Sequence, residues 1–144
     1  MAVYVDADAC PVRAEVIEVT GRLGVEAYIV SNKGFRVTDH PHVHNIVVSD
    51  AFDAADDWIA ERATPTDVVV TGDIPLAAKA LEKGAKVLDH KGKAFTTASI
   101  GMALAMRDLM SDLRAMGEAK GGGPAFSKRD RSDFRQALDL ALRR

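Results

Sequence analysis

Cysteine occurs once in the 144 residues, at position 10, so no internal disulfide can form and the fold must rest on its packed core. The first residues lack a basic segment followed by an uninterrupted apolar stretch, which is the pattern of a secretory signal. Apolar runs such as Val68-Val69-Val70 are far too short to cross a bilayer. These absences lead to the expectation of a cytoplasmic protein with no membrane partner. An excess of positive charge is also missing: 19 Lys and Arg stand against 21 Asp and Glu, which excludes a strongly basic protein that coats nucleic acid. The charge is nonetheless uneven. Residues 1–113 hold 11 basic and 17 acidic residues, whereas 114–144 hold 8 and 4. An acidic body with a basic tail can combine a cation site with an arm that faces phosphate.

The length suits one domain with a core of its own. Short, β-branched runs predict strands at Val3–Val5, Val25–Val30, Asn45–Val48, Val68–Thr71 and Lys86–Leu88. Between them, Pro11 is a good first helical residue, and Val12, Val16, Val19 and Leu23 form one apolar stripe that Gly24 stops. A second helix is expected from near Asp53, carrying Trp58 and Ile59, and a third from Pro75 to Lys83. Thr97 reads as the cap of a longer helix, with Ile100, Leu104, Leu109, Leu113 and Met116 closing over the sheet and Gly117 ending it. Gly121-Gly122-Gly123-Pro124 then breaks the chain before a last helix from about Asp130 to Leu142. Strands separated by helices form parallel sheets, so the expected fold is α/β, a three-layer sandwich around a mostly parallel sheet of about five strands. Residues 1–117 make the α/β domain, and 118–144 make the glycine break and a basic helix packed on or near it.

In open parallel sheets, ligands bind beyond the carboxyl ends of the strands, where strand order reverses. The aspartates crowd onto that edge: Asp6 and Asp8 at the first strand, Asp50 after the third, Asp53 and Asp56 at the next helix start, and Asp73 after the fourth strand. One aspartate at a helix start is an ordinary cap. Several on one edge repel unless a cation neutralises them, and an all-oxygen cluster suits Mg²⁺ or Mn²⁺. A metal so held polarises a phosphoryl oxygen and stabilises the leaving oxygen, so Asp6, Asp8 and Asp73 are candidate catalytic groups. His40, His42 and His44 alternate along an extended segment; a zinc site competes there with plain solvation.

Three stretches carry a resemblance: Val5-Asp6-Ala7-Asp8-Ala9-Cys10-Pro11, Phe52-Asp53-Ala54-Ala55-Asp56 and Thr71-Gly72-Asp73-Ile74-Pro75-Leu76-Ala77. With Gly122-Gly123-Pro124 and Arg129-Asp130-Arg131 before Phe134, the chain resembles the YaiI/YqxD family of bacterial proteins along almost its whole length. That family is grouped with PIN-like nuclease domains. The resemblance implies metal-binding roles for Asp6, Asp56 and Asp73, with Asp8 and Asp53 as additional ligands or water-positioning groups. It also favours Asn32 as a substrate contact and Arg107 as a phosphate clamp.

The expected function is metal-dependent phosphodiester hydrolysis on RNA or single-stranded nucleic acid, with Lys128, Arg129, Arg131 and Arg135 of the tail on backbone phosphates. Two alternatives stand beside it. A haloacid-dehalogenase-like phosphatase would use Asp6 as nucleophile and Asp8 as acid/base, but that chemistry wants a second acidic pair after the fourth strand, where Asp73 is followed by Ile74-Pro75-Leu76. A non-catalytic module would bind RNA or protein through its tail and keep its aspartates as caps. The sequence specifies no oligomeric state.

Overall fold

A computed structural model describes residues 1–7, 11–32, 40–51, 54–115 and 126–143, with side chains of the fourth helix described up to 106. The strands are β1 (Ala2–Asp6), β2 (Glu26–Ser31), β3 (Val43–Val47), β4 (Val68–Val70), β5 (Lys86–Leu88) and β6 (Ala94–Phe95). The helices are α1 (Arg13–Leu23), α2 (Ala54–Arg62), α3 (Ile74–Glu82), α4 (Thr97–Ala115) and α5 (Lys128–Arg143). The six strands form one sheet in the order β3-β2-β1-β4-β5-β6, parallel except for the β5–β6 pair.

Alternation along the strands divides the core. Val3, Val5, Val68 and Val70 face one side, against Val12, Val16 and Val19 of α1 and Phe134, Leu138 and Leu142 of α5. Tyr4 and Val69 face the other, against Ile59 of α2 and Leu76, Ala77 and Ala80 of α3. A period of two makes one strand serve two layers of helix, which gives the three-layer sandwich. β1 and β4, at the centre of the sheet, are buried on both faces, which accounts for their continuous apolar runs.

The helix starts differ from the sequence reading in places, and side-chain hydrogen bonds set two of them. α1 begins at Arg13, two residues after Pro11, and ends as expected, with Gly24 in the left-handed region at φ 69°. The cap of α4 is Thr96, not Thr97: Thr96 Oγ1 accepts from the Ser99 N–H at 3.0 Å and Ser99 Oγ accepts from the Thr96 N–H at 3.0 Å. The same reciprocal box starts α5 two residues before Asp130, since Ser127 and Asp130 each accept the other's N–H at 3.0 Å. The sixth strand was hidden because it is two residues long. Asp89 Oδ1 builds its turn by accepting from the N–H groups of Lys91 and Lys93, and Gly92 supplies φ 88°. Gly117 and the 121–124 break lie outside the described residues.

α5 runs alongside α1 in the same direction, held by three ion pairs in register. Arg131 Nη1 meets Glu15 Oε1 at 2.6 Å, Arg135 Nε meets Glu18 Oε2 at 2.8 Å, and Asp139 Oδ2 meets Arg22 Nη2 at 2.7 Å. The spacings of four on α5 and of three and four on α1 put each set on one helix face. Arg143 and Arg22 beside Asp139 hold its carboxyl below the usual range, Arg143 contributing most.

Candidate functional site

From β1 the sheet grows one way through β2 and β3, then the chain returns to β4 on β1's other side and grows the other way. The reversal therefore lies between β1 and β4, and it places their carboxyl ends at the crevice where parallel sheets bind ligands. Asp6 is the last residue of β1 and Thr71 follows the last residue of β4. α1, α2 and α3 all begin on this edge, so three positive helix ends face it.

Asp6 is 5% exposed. Its Oδ2 accepts a hydrogen bond from Thr71 Oγ1 at 3.1 Å, and Thr71 Oγ1 in turn accepts from the Asp73 N–H at 2.9 Å. One buried hydroxyl thus joins the two aspartates that the sequence singled out. Asp73 Oδ1 caps α3 by accepting from the Leu76 N–H at 3.0 Å, with Pro75 in the first turn where no N–H is needed. Asp56 is buried in the first turn of α2. Ser31 is buried at the end of β2, and Asn32 is exposed immediately beyond it, on the same edge. Asp8 and Asp53 lie outside the described residues, as does the side chain of Arg107 on α4. Asp50 stands exposed in the loop after β3.

Among the described residues, no three His, Cys, Asp or Glu side chains gather as a metal site. That includes the three histidines, of which His44 Nε2 pairs with Glu26 Oε2 at 2.9 Å. The described oxygen donors at the switch point are Asp6 and Asp73. Mg²⁺ commonly keeps several waters and takes only one or two protein carboxylates.

The tail residues separate. Lys128 and Arg129 are exposed at the start of α5, whereas Arg131 is held by Glu15 and also donates to the Pro11 carbonyl at 3.1 Å. Arg135 is held by Glu18. The sequence reading missed Thr71, although a hydroxyl before Gly72-Asp73 at a strand end was the available signal. It also missed Glu15, three residues past Val12 and so on the buried stripe of α1. A cavity of 530 Å³ lies along β5 and β6, between Leu81 of α3 and Leu140 of α5, and among the described residues no aspartate lines it.

The profile of the family described as "Uncharacterized BCR, YaiI/YqxD family" matches residues 4–144. The chain belongs to the YaiI/YqxD family. A UPF0178 protein of Parvibaculum lavamentivorans is 63% identical over 137 residues, covering 95% of this chain and 90% of the relative. UPF0178 proteins of Sphingopyxis alaskensis, 58% identical over 141 residues, and Nitrobacter winogradskyi, 55% over 141, cover 97% and 98% of this chain and 92% and 90% of their own lengths. No solved structure matches the chain. Among the described residues of this YaiI/YqxD member, no helix is long and apolar enough to cross a membrane.

Proposed function

We propose that this YaiI/YqxD protein is a metal-dependent phosphodiesterase acting on RNA or single-stranded nucleic acid at the crevice between β1 and β4. The observation that carries the reading is the buried Asp6 carboxylate at the switch point, oriented by Thr71 and joined through that hydroxyl to the Asp73 backbone N–H. Three helix N-termini facing the same edge favour an anionic substrate there. Asp6 and Asp73 would hold Mg²⁺ or Mn²⁺, with Asp56, Asp8 and Asp53 as further oxygen donors from the same edge. The ion, when bound, polarises the phosphoryl oxygen and stabilises the leaving oxygen. The chain's own part is positional: Thr71 fixes the Asp6 carboxylate, and Asp73 is fixed by its cap. Asn32 and Arg107 are the contacts proposed for the substrate.

The test uses Asp6→Asn, which keeps an oxygen to accept from Thr71 and removes the charge. At a hundredfold excess over its dissociation constant, Mn²⁺ stabilises a folded protein by about 2.7 kcal/mol. For a chain of this size that is a rise of about 5–11 °C in melting temperature. The parent is expected to show this rise and to cut a labelled single-stranded RNA; Asp6→Asn is expected to lose both while melting normally without metal. A parent that neither responds to Mn²⁺ or Mg²⁺ nor cuts RNA would return the aspartates to the role of helix caps.

A further inference from the structure

The cations near the carboxyl edge divide into two sets. Arg131 and Arg135 are consumed by Glu15 and Glu18 in docking α5. Lys91 and Lys93 of the β5–β6 turn and Lys128 at the start of α5 are exposed, and among the described residues no carboxylate forms an ion pair with them. Arg129 is 90% exposed and only 4.0 Å from Asp133 at its closest. The fold brings the two segments together. Gly92, between the two lysines, lies so close to α5 that a Cβ there would stand 2.9 Å from both the Asp133 carbonyl oxygen and the Ala137 side chain. The ring of His90 lies 5.5 Å from that of Phe126, just before α5.

This basic rim is on the edge that carries the aspartates. The Thr71 N–H donates to the Leu88 carbonyl at 3.0 Å, and the turn begins one residue later, at Asp89. At the other end, Arg131 reaches the Pro11 carbonyl before α1. The nearby acids offset part of the rim's charge but their carboxylates are bonded to backbone: Asp89 accepts from the N–H groups of Lys91 and Lys93, and Asp130 from that of Ser127, whose hydrogen bond holds its carboxyl low, with the Lys91 charge adding to this.

We infer that Lys91, Lys93, Lys128 and Arg129 form the surface along which the phosphate backbone of a single-stranded nucleic acid approaches the Asp6–Thr71–Asp73 crevice. The choice of polyanion rests on the phosphodiesterase reading; the surface rests on the placement of the cations. β5 is two strands from β1, about 10 Å at the usual strand spacing. A single strand with one phosphate in the crevice therefore carries neighbouring phosphates over the rim within a few nucleotides. Lysines carry no planar pattern for reading base edges, so recognition is of backbone and largely independent of sequence.

The experiment measures binding of a labelled single-stranded oligouridine to the full chain in EDTA, where cleavage does not intervene, across a salt series. Each phosphate contact on a single strand contributes about −0.7 to the slope of log affinity against log salt. Replacing all four residues by Gln is expected to weaken binding at least about tenfold and to make the slope shallower by about 2–3 units. Arg135→Gln, which removes a cation already held by Glu18, is expected to leave both nearly unchanged. Single reversals Lys91→Glu and Lys128→Glu, one from each segment, should each weaken binding even if the quadruple variant folds poorly. The inference is overturned if the parent binds no oligouridine, if it binds polyglutamate as tightly, or if the reversals keep the parent's affinity and slope. Binding lost on the rim variants without any RNA cleavage by the parent would sink the phosphodiesterase reading and leave the rim standing.

Discussion

Removing the guanidinium of Arg131 tests whether the last helix is an integral layer of the fold. Arg131 Nη1 lies 2.6 Å from Glu15 Oε1, and the Glu15 side chain is 4% exposed, with Oε2 buried and, among the described residues, without a hydrogen-bond partner. Arg131→Met keeps an apolar stem beside Phe126, over whose ring the guanidinium carbon sits at 4.7 Å, but strands a buried carboxylate. Breaking a buried pair by deleting one partner costs about 3–5 kcal/mol. Arg131 is itself 38% exposed, so water reaches the vacated position and the lower end applies, about 3 kcal/mol. In a calorimeter that is a fall of about 6–12 °C in melting temperature. Glu15→Met in the Arg131→Met background should recover most of the loss, because an apolar pair of similar volume is often no less stable than the ion pair it replaces. A single variant that melts within about 3 °C of the parent would refute the reasoning, as would a double variant whose loss is the sum of the two singles.

Asp73 separates cap from ligand by chemistry. Asparagine caps helices as well as aspartate does, so Asp73→Asn is expected to melt like the parent without metal and to lose the rise with Mn²⁺, whereas Asp73→Ala costs about 1 kcal/mol in either condition; an Asn variant with the full Mn²⁺ response would make Asp73 a cap alone. Gly92→Ala combines a left-handed φ of 88° with a Cβ 2.9 Å from the Asp133 carbonyl, and is expected to lower stability by about 2 kcal/mol or more in urea unfolding; an unchanged midpoint would show that the turn does not press on α5.

The layers of this protein were legible in its sequence because they depend on short-range periodicity. Valine runs of strand length, separated by helical stripes, dictate a buried parallel sheet, and a parallel sheet gathers every strand-end residue onto one edge. That reasoning puts Asp6, at the end of β1, and Asp73, just past β4, on one edge of the sheet. It did not supply Thr71 between them, because a hydroxyl at a strand end takes its meaning from the partner its neighbour strand brings, here 65 residues away. Nor could it sort the basic tail. By composition Lys128, Arg129, Arg131 and Arg135 are alike; only the register of α5 on α1 places glutamates against Arg131 and Arg135, across 116 and 117 residues of chain, and leaves Lys128 without an ion pair among the described residues. Strand order and helix-to-helix register are set by which faces find each other in three dimensions, and local sequence carries the faces but not their pairing.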